Sequence, residues 1–262
     1  MRLNAAEIIY YILILPAFLT ILGEKKDRLM KQIIGILAGM GPKSTGPFID
    51  QVVFQYQLIT GAKDDIDFPP MMIYSLPTPF YLDRPIDHKL MEKTVCEGLI
   101  KLQSCGVAFI AIPCNTVHLY FEALQKCIEV PLLNIVDVTV DTISPASVKN
   151  VAILGAQPTV DSQIFQKGLS QRGLKYVTHP DWQEKINEMI LRIKAGDEPR
   201  VLLSLWEGLS KELLYEHVDA ILLVCTDLNV IFRHIKTPFQ IIDSSLCLAK
   251  AIVNRWRELQ LP

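Results

Sequence analysis

The sequence predicts an α/β fold of two pseudo-symmetric lobes, each a parallel sheet flanked by helices. Three observations carry this expectation. Short apolar runs alternate with longer amphipathic stretches from Ile33 to the end of the 262-residue chain, the pattern of strands alternating with covering helices. The runs form two sets, separated by a polar join over residues 141–150 that contains Pro145. One run recurs in both sets: residues 106–113 lead into Cys114, Asn115 and Thr116, and residues 218–224 lead into Cys225 and Thr226. Composition agrees, because 50% of the chain is apolar and 21% is charged, which fills a core and excludes disorder as the dominant state. Lys plus Arg number 26 against 28 Asp plus Glu, a net charge of −2, so no basic excess exists to neutralise a nucleic-acid backbone.

In chain order, residues 33–37 (IIGIL) read as the opening strand, followed by a glycine-rich turn. Strands are expected next at residues 71–75, 107–112 and 132–135, each a short apolar run too brief for a buried helix. The second set lies at residues 151–154, 175–177, 220–224 and 240–242. Between them, apolar residues at three- and four-residue spacing predict helices over 89–103, 120–127 and 183–195. The expected division is a first lobe at 30–143, a second at 144–243, and a C-terminal helix at 244–262 returning to the first lobe. Residues 1–29 do not match this pattern. The uncharged run at 8–23 is short for a membrane span and has Pro16 at its middle. It fits a signal peptide in length, but only Arg2 is basic and no small-residue cleavage site follows. The third reading starts the globular protein at Met30, and the pattern favours it. The chain is then cytoplasmic, with a membrane association only if residues 1–29 are a genuine anchor.

Glycines at 39 and 41, after the first strand, permit a tight turn and close backbone approach to an anion beside Met40. A plain strand-to-helix turn explains them equally well. Pro42 and the spacing to Lys43 exclude a phosphate-binding P-loop, and Ser44 stands where a dinucleotide motif needs its third glycine. The six cysteines include no CxxC pair and are diluted over a long chain, which points to reduced thiols. Cys96, Cys105, Cys127 and Cys247 read as small buried hydrophobes. Cys114 and Cys225 differ, since each ends an apolar strand and meets polar residues at once. Ligands of open parallel sheets bind beyond the carboxyl ends of strands, and backbone N–H groups there favour the reactive thiolate. One thiol at the same place in each set points to a site shared between facing lobes. His118 follows Cys114 by four residues, but no second ligand pair matches, so no metal site is expected; His88, His179, His217 and His234 stand alone.

At these residues the sequence resembles the aspartate/glutamate racemase superfamily, most closely its aspartate racemase branch. The resemblance runs from Ile33 to the C-terminus. It rests on AGMGPKST near the start, PCNTVH at Pro113 to His118, PLLNI from Pro131, VCTDL at Val224 to Leu228, and PFQIID ending at Asp243. Departures are Ala38 and Val224 where glycine is usual, Asp227 in place of glutamate, and Ala156 where threonine is frequent. The resemblance implies two lobes with the active site in the cleft between them, a homodimer, and amino-acid racemisation without a cofactor. Cys114 and Cys225 are then opposed acid and base. Met40, Gly41, Asn115, Thr116, Thr159 and Thr226 bind the substrate, and Lys194 or Arg84 meets the distal carboxylate of a dicarboxylic amino acid. A related isomerase or decarboxylase of small carboxylic acids is one alternative, and a non-catalytic amino-acid-binding or thiol redox module is another.

Overall fold

The computed structural model describes residues 32–81, 84–143, 148–232 and 235–261. The atypical N-terminal run, His234 and residues 144–147 of the join, Pro145 among them, lie outside the described residues.

The first half alternates β1 (Ile33–Ala38), α1 (Pro42–Thr60), β2 (Met71–Ser75), α2 (His88–Gln103), β3 (Val107–Ala111), α3 (Phe121–Lys126), β4 (Leu132–Leu133) and α4 (Ile135–Val140). The second runs β5 (Asn150–Gly155), α5 (Gln157–Asp161), α6 (Ile164–Gln171), β6 (Lys175–Val177), α7 (Pro180–Ala195), α8 (Leu203–Tyr215), β7 (Ala220–Val224), α9 (Asn229–Phe232), β8 (Gln240–Asp243) and α10 (Ser244–Gln260). All strand pairs are parallel. The two four-stranded sheets have the orders β2-β1-β3-β4 and β6-β5-β7-β8, the same plan used twice.

Helix ends follow from local chemistry. Pro42 opens α1, where its missing N–H costs nothing, and Gly61 closes it in the left-handed region at φ 75°. The Asp87 carboxylate accepts from the Leu90 N–H to start α2, and the Asp243 carboxylate does so from Ser245 for α10. One expected strand ends early. Residues 132–135 were expected to pair throughout, but Asn134 accepts from the Val136 N–H and turns Ile135 into the first residue of α4. The helix expected over 120–127 forms over Phe121–Lys126, with a 3₁₀ turn at Thr116–Tyr120 preceding it.

Strand side chains alternate between faces, and both faces of the central strands β1, β3, β5 and β7 are buried. Ile34, Ile36, Phe109, Val151, Ile153, Leu222 and Val224 face one core shared by both sheets, joined by Leu248, Ile252 and Trp256 of α10. The alternate residues face separate outer cores. Leu37 and Ile110 pack beneath α2 in the first half, and Leu154, Ile221 and Leu223 pack with Trp182 and Trp206 in the second. This double burial explains why the strands read as continuous apolar runs. Helix α10 packs on α1 and α4 as well as on β7 and β8.

Two expectations about cysteine are corrected. Cys96 on α2 and Cys127 after α3 form a disulfide with Cα atoms 5.9 Å apart. The two segments lie side by side in space, which a separation of 31 residues in the chain does not reveal. Cys105 is exposed rather than buried, at the turn after α2, while Cys247 is buried as expected.

Candidate active site

Both sheets end their central strands at one cleft of about 600 Å³. Cys114 enters from the segment after β3 and Cys225 from the residue after β7, and both line the same space with Met40, Gly41, Asn115, Thr116, Thr226 and Lys194. Thr159 does not reach the wall. It is buried on α5, and its hydroxyl lies 2.8 Å from that of Thr116, so it supports a wall residue from behind. Its expected direct contact with substrate is corrected accordingly.

The glycine turn proves to be both a turn and a wall of the cleft. Gly39 has φ 96°, and a Cβ there would stand 2.6 Å from the Leu76 backbone, so no other residue fits. The Gly39 N–H donates to the Thr45 hydroxyl and the Ser44 hydroxyl donates to the Gly41 carbonyl at 2.8 Å, which pins the loop to α1. From the opposite side the Thr226 hydroxyl donates to Ser44 at 3.3 Å. The turn after β1 is thereby tied to the Cys225 loop.

Asn115 is only 2% exposed, yet neither its amide oxygen nor its amide nitrogen has a hydrogen-bond partner among the described residues. A buried amide without partners carries a desolvation cost that a ligand can relieve. His118 serves structure instead. Its Nδ1 lies 2.8 Å from the Cys114 carbonyl, and burial pulls its pKa down to about 4, so the ring is neutral and caps the turn that follows the cysteine. No group of three or more His, Cys, Asp or Glu suited to a metal occurs among the described residues.

Electrostatics at the two thiols are dominated by burial. It pushes Cys114 above the ordinary thiol range, against the Val117 and Thr116 N–H groups that favour its thiolate. It pushes Cys225 up to about 12, and the Asp227 carboxylate adds to the rise. Asp227 in turn forms a salt bridge to Lys194 at 2.9 Å. Burial works to discharge Lys194, but the Asp227 hydrogen bond and charge outweigh it and hold the ammonium charged. The sequence marked Lys194 and Asp227 separately; their pairing joins the end of α7 to the Cys225 loop, a tertiary fact that spacing does not encode. The apolar wall was also missed, namely Phe80 and Tyr81 after β2, Ile86, Met91 on α2, and Ile190 and Leu191 on α7. The proline-flanked loop at 77–85 was the available signal, because such loops beyond strand ends carry function.

The comparisons with known proteins follow this geometry. A broad specificity amino-acid racemase of Bacillus subtilis is 47% identical over 228 residues, covering 87% of this chain and all of the relative. An aspartate racemase of Picrophilus torridus superposes with a TM-score of 0.70 at 26% identity, covering 88% of this chain and all of that one. An aspartate racemase homologue of Pyrococcus horikoshii, 23% identical, shares the fold with a TM-score of 0.68 over 86% of this chain and 99% of its own. The sequence profile of the Asp/Glu/hydantoin racemases matches residues 37–252, and the chain belongs to that family.

Proposed function

We propose that this protein is a cofactor-independent amino-acid racemase in which Cys114 and Cys225 exchange the α-proton on opposite faces of the substrate. The observation that carries the reading is the convergence of two strand-end cysteines, one from each sheet, on a single cleft. One cysteine as thiolate removes the α-proton and becomes a thiol. The other, as thiol, delivers its proton to the opposite face of the planar carbanion and becomes a thiolate. Both proton transfers are then accounted for by side chains, so the chemistry needs no pyridoxal phosphate.

A thiolate is a weak base for so reluctant a proton. Uncharged donors fixed where negative charge develops lower that barrier, and the Asn115 amide and the Thr116 hydroxyl are the side-chain donors available to the substrate carboxylate. Withdrawal of the thiols from bulk water strengthens each of these interactions. Because the two thiols act in opposite protonation states, they titrate as a coupled pair.

The family description and the Picrophilus relative support a small amino acid as substrate, and the Bacillus relative supports a range wider than aspartate and glutamate. A dicarboxylic substrate, the narrower reading, asks for an available cation, whereas Lys194 is engaged by Asp227. The test is solvent deuterium incorporation at Cα across a panel of L- and D-amino acids. Cys114→Ser and Cys225→Ser should each abolish interconversion of the L and D forms while leaving the circular dichroism spectrum of the protein unchanged. Full racemisation by either variant would sink the two-base mechanism.

A further inference from the structure

Charge in the cleft is distributed in a way that bears on which amino acids it accepts. Beside the cysteines stand the uncharged side chains of Asn115, Thr116 and Thr226. The Lys194–Asp227 pair is largely withdrawn from water, with side chains 23% and 7% exposed. Its position is fixed from the backbone side, because a Cβ on Gly41 would come within 3.1 Å of both Lys194 Nζ and Asp227 Oδ1. Lys194 Nζ also lies 5.6 Å from the centre of the Phe80 ring, at the edge of the wall made by Ile86, Met91, Ile190 and Leu191. A substrate side-chain carboxylate reaching Lys194 would have to share its ammonium with Asp227, which sets a second anion against a buried carboxylate and is unfavourable. Arg84 does not replace Lys194 in that role. It is exposed at the rim, its guanidinium 4.5 Å above the Tyr81 ring, where solvent screens its charge.

We infer that Asp227 is the specificity-determining residue of this cleft: it holds Lys194 as an internal counter-ion, so that amino acids with uncharged, apolar side chains are preferred over dicarboxylic ones. The inference rests on the racemase reading and refines its substrate class. The polar donors grip the common carboxylate, and the apolar wall takes the side chain. Discrimination comes from the cost of bringing a second carboxylate against a buried one, which separates substrates more sharply than small differences in apolar contact.

The experiment measures kcat/KM by Cα deuterium exchange for methionine, leucine, aspartate and glutamate. The wild-type protein should favour methionine and leucine over both diacids by about tenfold or more. Asp227→Asn, which releases Lys194, should raise the aspartate-to-methionine ratio by about tenfold, mainly through a lower KM for aspartate. Adding Lys194→Met to Asp227→Asn, which removes the released cation, should return the ratio to the wild-type value. A wild-type preference for the diacids overturns the inference, as does an unchanged ratio in Asp227→Asn or a raised ratio that persists when Lys194→Met is added. If no amino acid exchanges, the racemase reading fails on its own. Calorimetric binding to the Cys114→Ser/Cys225→Ser protein then decides the pocket's preference without chemistry. Tighter methionine than aspartate supports the assignment, whereas tighter aspartate, equal binding or no binding overturns it.

Discussion

Cys114 and Cys225 sit in surroundings that favour their neutral forms, and this sets the direction of the pH dependence. Burial raises both above the usual thiol range, Cys225 to about 12 with the help of Asp227. Lys194 opposes the rise at both, and each receives backbone N–H groups from the turn that follows it. The two-base mechanism proposed above needs one thiolate and one thiol, so on that reading the active form appears only as the first proton leaves the pair. The sign is therefore fixed: kcat/KM should climb from pH 7 into the alkaline range and fall only when the second thiol ionises. The limbs belong to the pair and not to either residue. A pH–rate profile whose maximum lies below pH 7 would contradict this arrangement.

At the scale of elements, the junction of β5 and β7 offers a sharp mechanical test. Gly155 pairs with Val224 across the sheet, and a Cβ on Gly155 would fall 2.4 Å from Val224 Cγ2. The valine that stands before Cys225 is therefore accommodated by the glycine facing it. Gly155→Ala should cost about 1–3 kcal/mol of stability, the usual penalty for overpacking. It should also reduce turnover, because the displaced Val224 carries Cys225 with it. Val224→Ala in the same chain should recover most of both losses, as read by urea denaturation and deuterium exchange. The α2–α3 disulfide makes a separate prediction. Closing a loop of 31 residues, it should contribute roughly 2–4 kcal/mol, so Cys96→Ser should lower the denaturation midpoint without abolishing exchange. These elements also show what the chain disclosed before its structure was known. Strands β2, β6 and β7 were legible to the residue, because turn residues bound their apolar runs. Strand β4 was overdrawn because LLNI is apolar in either state, and only the Asn134 side chain decides between them. The paired cysteines were legible because a strand-end motif is local and occurs twice. The disulfide, the Lys194–Asp227 pair and the apolar wall join residues from different elements, and no local period records such contacts.

For the molecule as a whole, the shared core matters more than the twofold plan of the sheets. Side chains of both sheets and of α10 fill one continuous interior, so neither half can lose its structure without exposing the other. Urea unfolding should accordingly be a single transition. Reporter variants that keep only Trp256 in the shared core, or only Trp206 in the outer core of the second half, should give coincident curves; separated midpoints would show independent halves. The two walls of the cleft differ in a way that has one further consequence. Cys114 is flanked by Asn115 and Thr116, whereas Cys225 has the Asp227 carboxylate two positions away, so a proton leaves the two sulfurs with unequal ease. Mirror-image substrates nevertheless have identical free energies in water, and their interconversion has an equilibrium constant of unity. The lopsided cleft can therefore change how tightly each enantiomer is held and how fast it turns over once bound. It cannot change the quotient of those quantities, which must be the same for the L and D forms however unequal the two thiols are.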